Sequence, residues 1–400
     1  MQQATVRLYD EDAYLNEFEA RVLSCEETAG GFAVVLDRTA FFPEAGGQTP
    51  DRGEITDGAG AHVRVLDVQI DETAGVITHV THGALAPGST VTGRIDAAHR
   101  FDNMQQHTGE HIFSGLICAA HGCNNVGFHL SDQTVTMDYD RAVSAEEIAE
   151  IEARANEVIW RDLPVICAFP SDEELAGLDY RSKKELSGRI RIVTIPDVDV
   201  CACCAPHVRR TGEVGLLKVL ALQNYKGGIR VTIACGGRAL RELSENRRIL
   251  TEMAREMSTA PEEVPAHVAK LKEELSAAKG RASALAGSLL MMRLEAEDPS
   301  GSAGLLTVFD GATDPGSARH ALDAWMDSHA GLCAIFTGSD ADGWNYLAGA
   351  GRLGEADARE VAQTLKAAFG AKGGGSREMV QGRVQSAEAE IRRALQKEGI

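Results

Sequence analysis

The 400-residue chain carries 44% hydrophobic and 25% charged residues and a formal charge of -19. That length holds two or three domains with cores of their own, and the acidic balance excludes a chain-wide nucleic-acid coat, which needs a basic surface, though not a local basic patch. Nine cysteines, an odd number without the spacing of a disulfide framework, together with the lack of a signal-peptide core or a membrane-length apolar run, predict a cytoplasmic protein with no membrane partner.

Residues 1–100 read as a β-rich module. Val63, Val65, Val68 and Ile70 alternate imperfectly, and β-branched runs at 76–80 and 90–95 are separated by Gly and Pro turns. Between the first strands lies Phe41-Phe-Pro-Glu-Ala-Gly-Gly-Gln-Thr-Pro-Asp-Arg-Gly53. Paired glycines allow a sharp turn, and the Gln48 amide both donates and accepts, but on residue type alone this is a structural turn.

Residues 101–237 form a second module. A helix is expected from Asp102 or Asn103 to Gly122, a C-terminal capping glycine, and it carries His107 and His111. Four residues apart on a helix, the two imidazoles share a face, which is half of a metal site. Gly109 between them weakens the helix and suits close approach of a ligand. A strand pair follows at 127–138 with His129 in it, a position where a histidine is ordinarily packed and hydrogen-bonded. Ser144 and Ser171 open capped helices, and strands are expected at 165–169, 190–193, 216–220 and 229–234, an irregular alternation that predicts an α+β layer. Within it, Cys201-Ala-Cys-Cys-Ala-Pro-His207 is bracketed by Pro196 and Pro206. Cys203 and His207 repeat the four-residue spacing and would complete a set of three nitrogens and one sulfur suited to Zn2+. Neither pair is specific alone, and the extra thiols of Cys201 and Cys204 leave the register of the sulfur ligand open. Residues 181–192 hold five basic side chains against one acid, a solvated loop or a local RNA-binding patch.

From 238 to 297 the composition turns rich in Ala, Glu, Lys and Leu. Val264, Val268, Leu271, Leu275, Ala278, Ala282, Leu285 and Leu289 recur at spacings of four and three, a heptad seam that predicts a helical coiled-coil arm, packed within one chain or in a dimer. Residues 298–400 read as an α/β domain with strands at 305–309, 332–336 and 344–349, helices at 318–326 and 357–369, and a Gly-rich run at 370–382. Its consecutive backbone N–H groups, with Lys372 and Arg377, suit an anion or else form a flexible loop, and no Gly-Lys-Ser/Thr makes it a Walker A.

The segment Arg100-Phe-Asp-Asn-Met-Gln-Gln-His-Thr-Gly-Glu-His111 and the run from Cys201 into His207-Val-Arg-Arg-Thr-Gly-Glu-Val-Gly215 resemble the editing domain of alanyl-tRNA synthetases and the freestanding alanyl-tRNA editing proteins, AlaX. In that family the zinc ligands are the two histidines of HxxxH and the outer residues of Cys-Gly-Gly-Thr-His. The resemblance therefore implies Zn2+ on His107, His111, Cys203 and His207, with a turn that departs from the pattern as Cys-Cys-Ala-Pro-His. The Gly-Gly-Gln stretch resembles the segment that opens the family's editing region. This implies Gly46, Gly47, Thr108 and Arg209 at the substrate and Gln48, Glu110 and His129 in catalysis. The glycine run near the C-terminus resembles a signature that alanyl-tRNA synthetases share with DHH-type phosphoesterases, with Val380 in place of the usual Ala before Gln381.

The fold class expected is α+β: a β-rich N-terminal module (1–100), an α+β zinc-containing editing core (101–237), a coiled-coil arm (238–297) and a C-terminal α/β domain (298–400). The chain begins about forty residues before the Gly-Gly-Gln stretch, without room for an adenylate-forming domain, so the resemblance implies a freestanding editing hydrolase of the long AlaX type. Its expected reaction is deacylation of mischarged tRNA(Ala), chiefly Ser-tRNA(Ala) and secondarily Gly-tRNA(Ala). Its expected partners are the tRNA(Ala) acceptor end and a second copy through the arm or the C-terminal domain. The alternatives are a non-catalytic, zinc-stabilised tRNA-binding or dimerisation protein and a zinc hydrolase of another ester.

Overall fold

The computed structural model describes residues 4–182, 189–298, 304–311 and 313–397. They make two compact units, Met1–Ile249 and Leu250–Ile400.

The first unit begins with a closed antiparallel barrel whose strands follow the order Glu17–Thr28, Gly31–Leu36, Val76–Thr81, His62–Asp71, Gly53–Asp57 and Thr90–Ile95. Alternation along Glu17–Thr28 and His62–Asp71 turns every second side chain inward, and Val22, Leu36, Phe41, Phe42, Ile55, Val68 and Ile77 fill the interior. Breaks of register between Val22 and Ser24 and between Val65 and Asp67 explain the imperfect alternation in the sequence, because extra residues bend strands at a barrel's corners.

The helix that carries the histidine pair is Ala97–His121, starting five residues before the expected Asp102. Asp96 caps it by accepting from the backbone of Ala98 and His99, and Gly122 ends it in the left-handed conformation. The early start places Arg100 in the barrel's end. There its buried guanidinium pairs with buried Asp51 and also donates to the carbonyls of Ala13 (2.8 Å) and Ala40 (2.6 Å). Gly109 serves packing rather than a ligand, since a Cβ there would meet Cys235 Sγ at 2.2 Å. The helix lies against a four-stranded sheet in the order Leu217–Tyr225, Gly228–Cys235, Val135–Tyr139, Asn125–Leu130, with helix Ala145–Trp160 beside it. Capping boxes open that helix at Ser144 and helix Asp172–Ala176 at Ser171, both as the sequence predicts. A three-stranded sheet, Ile166–Ala168, Ile192–Ile195 and Asp199–Ala202, leads into the cysteine turn.

The second unit is a five-stranded sheet in the order Leu305–Phe309, Leu332–Ser339, Gly343–Ala350, Met379–Val384, Lys372–Gly375, parallel only in its first pair. Leu290 and Leu294 of helix Val264–Glu297 pack with Leu322 and Trp325 of helix Pro315–Ser328 in one core. Helices Arg359–Phe369 and Glu388–Lys397 fill the other, around Phe336 and Tyr346. Two expectations change here. The Gly-rich run is an edge strand with its turn rather than an open loop, and Gly373 pairs with Gly382 beneath the Tyr346 hydroxyl, 2.4 and 2.5 Å from where their Cβ atoms would lie. Most of the heptad seam is exposed in the single chain, with Leu271, Leu275, Leu285 and Leu289 between 51% and 71% exposed; of the seam only Val264 is buried, and Leu290 and Leu294, outside it, are the other packed positions. Among the described residues no helix is long and apolar enough to cross a membrane, and no disulfide joins the cysteines.

Candidate metal centre

His107 and His111 rise from the middle of helix Ala97–His121, one turn apart, both buried. Opposite them stands the turn that follows strand Asp199–Ala202. Arg191 shapes it: its buried guanidinium donates to the carbonyls of Cys203 (3.0 Å) and Ala205 (2.8 Å), and its own carbonyl accepts from Cys203 N–H. So held, the turn lays Cys203 Sγ 3.5 Å from His107 Nε2 and 3.4 Å from His207 Nε2. One ligand atom from each of His107, His111, Cys203 and His207 lies within 4.8 Å of all the others.

These distances test the fit of a metal. With Zn–N and Zn–S bonds of about 2.0–2.3 Å, the edge of a tetrahedron is roughly 3.4–3.8 Å, which the observed nitrogen–sulfur separations match. The second nitrogens agree. His107 Nδ1–H donates to Gln48 Oε1 at 2.8 Å, His111 Nδ1–H donates to Asp199 Oδ2 at 2.8 Å, and His207 Nδ1 lies 3.1 Å from Thr108 Oγ1. Each ring is oriented by an outer partner and turns Nε2 inward, the arrangement metal-binding histidines ordinarily show. Burial pushes the His111 pKa down, but the Asp199 bond and the surrounding negative groups outweigh it and hold it above the usual histidine value. Burial pushes Asp199 up, and its bonds to His111 and to Arg181 more than reverse this, leaving it below the usual carboxylate range. The donor set is compatible with zinc, and Cys203, not Cys204, is the cysteine it contains.

One more carboxylate lies at the cluster. Glu110 is fully buried, with Oε2 3.8 Å from His111 Nε2. Its Oε1 accepts from Ser114 Oγ–H and from Asn125 Nδ2, both at 2.7 Å, and Ser114 in turn meets the Tyr139 hydroxyl at 2.8 Å. Burial, with Glu110 nearby, keeps that phenol protonated.

The Gly-Gly-Gln turn reaches this site by docking on strand Asn125–Leu130. Leu130 N–H donates to Gly47 O at 2.7 Å and Thr49 N–H donates to Leu130 O at 3.1 Å. Gly47 is obligatory, with φ +82° and the Phe128 carbonyl 2.5 Å from where its Cβ would lie. Gly46 stands beside Cys204 Sγ. Thr108 ties the helix to the turn, for Val208 N–H donates to its Oγ1 at 3.3 Å. Two of the residues singled out from sequence are not brought to the cluster. His129 is exposed on the opposite face of its strand from Phe128, and it is Phe128 that packs on His107, ring centroids 4.7 Å apart. Arg209 lies at the surface, paired with Asp12 and stacked on Tyr14.

The basic run divides likewise. Arg181 braces Asp199, Arg191 shapes the turn, Arg189 covers the Phe169 ring, and Lys183 and Lys184 lie outside the described residues. Sequence reasoning missed Asp199, Arg181, Arg191, Asn125 and Phe128. Only Ser114, four residues from Glu110 on the same helix face, left a local signal.

Three buried histidines and one cysteine thus form a candidate metal centre between a helix and a rigid turn, closed by a loop from the adjoining barrel. Residues 6–99 match the family model described as tRNA synthetases class II (A), and residues 190–248 match that of the threonyl and alanyl tRNA synthetase second additional domain. The chain is 31% identical over 396 residues to an alanine–tRNA ligase of Halorubrum lacusprofundi and 30% identical over 405 residues to that of Pyrococcus abyssi, covering 92% and 95% of itself but 40% and 42% of the ligases. It thus spans about two fifths of the length of those relatives. It is 32% identical over 275 residues to the alanyl-tRNA editing protein AlaX-L of Pyrococcus horikoshii, covering 67% of each protein. The chain belongs to the AlaX-type alanyl-tRNA editing family.

Proposed function

We propose that this chain is a zinc-dependent aminoacyl-tRNA deacylase that hydrolyses the ester of mischarged tRNA(Ala), chiefly Ser-tRNA(Ala) and secondarily Gly-tRNA(Ala). A ligase pocket for alanine cannot exclude glycine, or a side chain that only adds a hydroxyl, by binding alone, so a second hydrolytic sieve is needed. The observation that carries the reading is the Glu110 carboxylate, anchored through one oxygen and 3.8 Å through the other from His111 Nε2, inside a cluster whose four donors fit zinc. When bound, zinc on His107, His111, Cys203 and His207 supplies a Lewis acid beside the ester carbonyl.

The rest falls to the protein. Glu110 takes a proton from the attacking water as its oxygen bonds to the ester carbon, and returns it to the ribose oxygen as the C–O ester bond breaks. Ser114 and Asn125 keep that carboxylate from rotating away. Gln48, Asp199 and Thr108 hold the three imidazoles in register. Phe128 shields the His107 side of the site from water. The exposed guanidinium of Arg209, two residues past His207, suits the phosphates of the tRNA acceptor end.

The test is release of serine from Ser-tRNA(Ala), beside Ala-tRNA(Ala), by the zinc-loaded protein and by Glu110→Gln. Serine-selective release is expected in the first, with a loss of about 100-fold or more in the variant at unchanged zinc content. No release by the zinc-loaded wild type would remove the deacylase reading and favour a zinc-stabilised binding protein.

A further inference from the structure

Gln48 is the one side chain of the Gly-Gly-Gln turn that enters the cluster, and only half of its amide is used there. Oε1 accepts from His107 Nδ1–H. Nε2 is buried, on a residue 1% exposed, and no group among the described residues accepts from it. An unmade buried amide bond costs about 1–3 kcal/mol, so a native structure supplies the missing partner from a water or a ligand.

The backbone holds the amide in place. Gln48 and Ala45 exchange backbone hydrogen bonds, Gln48 N–H to Ala45 O at 3.0 Å and Ala45 N–H to Gln48 O at 3.3 Å, and the turn is clamped to Leu130 on both sides of Gln48. Rotating the amide by half a turn would set Nε2 against His107 Nδ1. That requires the imidazole proton on Nε2, the nitrogen that faces Cys203 Sγ within the cluster. With zinc held on Nε2, the imidazole proton sits on Nδ1, so Oε1 faces His107 and Nε2 is the unused end of the amide.

We infer that Gln48 Nε2 is the donor that reads the side-chain hydroxyl of the aminoacyl group. Nδ1 and Nε2 lie on opposite sides of an imidazole, so Gln48 stands a ring's width from the centre of the cluster. It meets a group one or two bonds away from the ester carbonyl rather than the carbonyl itself. At that distance an aminoacyl ester carries an α-ammonium, which cannot accept, and the side chain. Serine places a hydroxyl there, glycine a hydrogen and alanine a methyl group, and only the hydroxyl completes the Gln48 bond. A site that leaves a buried donor unpaired with the wrong substrate discriminates far better than one that measures size. Gln48 is thus a positioning residue for His107 through one atom and a specificity determinant through the other.

The inference rests on the deacylase reading, and the substitution Gln48→Glu separates the two. Glutamate keeps an acceptor for His107 and nearly the same shape but has no donor. We expect one zinc per chain as in the wild type and a fall of about tenfold or more in the ratio of kcat/KM for Ser-tRNA(Ala) over Gly-tRNA(Ala). Gln48→Met removes both atoms' roles and should weaken zinc binding about 10–100-fold. An unchanged ratio in Gln48→Glu, or an equal loss on both substrates with zinc retained, overturns the hydroxyl assignment. Loss of zinc from Gln48→Glu overturns the assignment of its acceptor. A zinc-loaded wild type that releases neither amino acid brings down the deacylase reading, and this one with it.

Discussion

His107 and His111 share one continuous helix, whereas Cys203 and His207 stand on an irregular turn, and different arginines fasten the two halves. On the helix side Arg100 forms a buried ion pair with Asp51 of the barrel and donates to two further carbonyls. On the turn side Arg191 donates to the carbonyls of Cys203 and Ala205. Helical hydrogen bonding sets the spacing of the first pair, so its arginine acts on how the helix sits against the barrel. Nothing periodic sets the spacing of the second pair, so its arginine acts on the ligand geometry itself. A helix supplies half a metal site through local structure, while a turn needs side chains from elsewhere to do the same.

The largest effect separates the two cysteines of the turn. Cys203→Ala should abolish stoichiometric zinc binding, because the cluster loses its thiolate, while Cys204→Ala should retain one zinc per chain, since its sulfur lies toward Gly46 and outside the cluster. Zinc content by elemental analysis decides it, and the reverse result would reassign the ligand.

The arginines come next. Arg100→Met leaves the Asp51 carboxylate buried without its ion-pair partner and should cost about 3–5 kcal/mol of folding stability, with zinc affinity kept in the molecules that remain folded. Arg191→Met should do the opposite, lowering zinc affinity by about 10–100-fold with a smaller loss of stability. Denaturant unfolding and competitive zinc titration of both variants test the contrast, and equal profiles would dissolve it.

The same contrast explains what was legible in the sequence. The histidine pair, its helix, the Gly122 stop and both capping boxes follow from local rules, and the structure has them. The helix starts earlier than Asp102: the cap that wins is Asp96, a local signal, and what favours it over Asp102, Arg100 reaching Asp51, spans 49 residues of chain separation. Arg181 and Arg191 were legible only as charge, and which carboxylate or carbonyl they meet depends on strand pairing that no local pattern records. His129 drew notice as a histidine, yet strand alternation presents its neighbour Phe128 to the cluster. In the second unit the glycines at 373 and 382 looked like an anion loop. Their physical use is to make room for Tyr346 from a strand 27 positions before Gly373. The heptad spacing of helix Val264–Glu297 is real, but a spacing does not say what covers it.

The smallest effect lies where the two halves meet. Thr108 belongs to the helix but serves the turn, its Oγ1 accepting from Val208 N–H and lying 3.1 Å from His207 Nδ1. Thr108→Val keeps the volume and removes the oxygen. Val208 N–H then stays buried without an acceptor, at a cost of about 1–3 kcal/mol, and His207 loses the contact that orients its ring. Because the other imidazoles keep Gln48 and Asp199, zinc should remain at one per chain with a modest drop in affinity. The change should fall on His207 alone, visible as a shift in its imidazole resonances with those of His107 and His111 little altered. An equal disturbance of all three histidines would show that the helix and the turn behave as one rigid body, and that the division between them has no energetic counterpart.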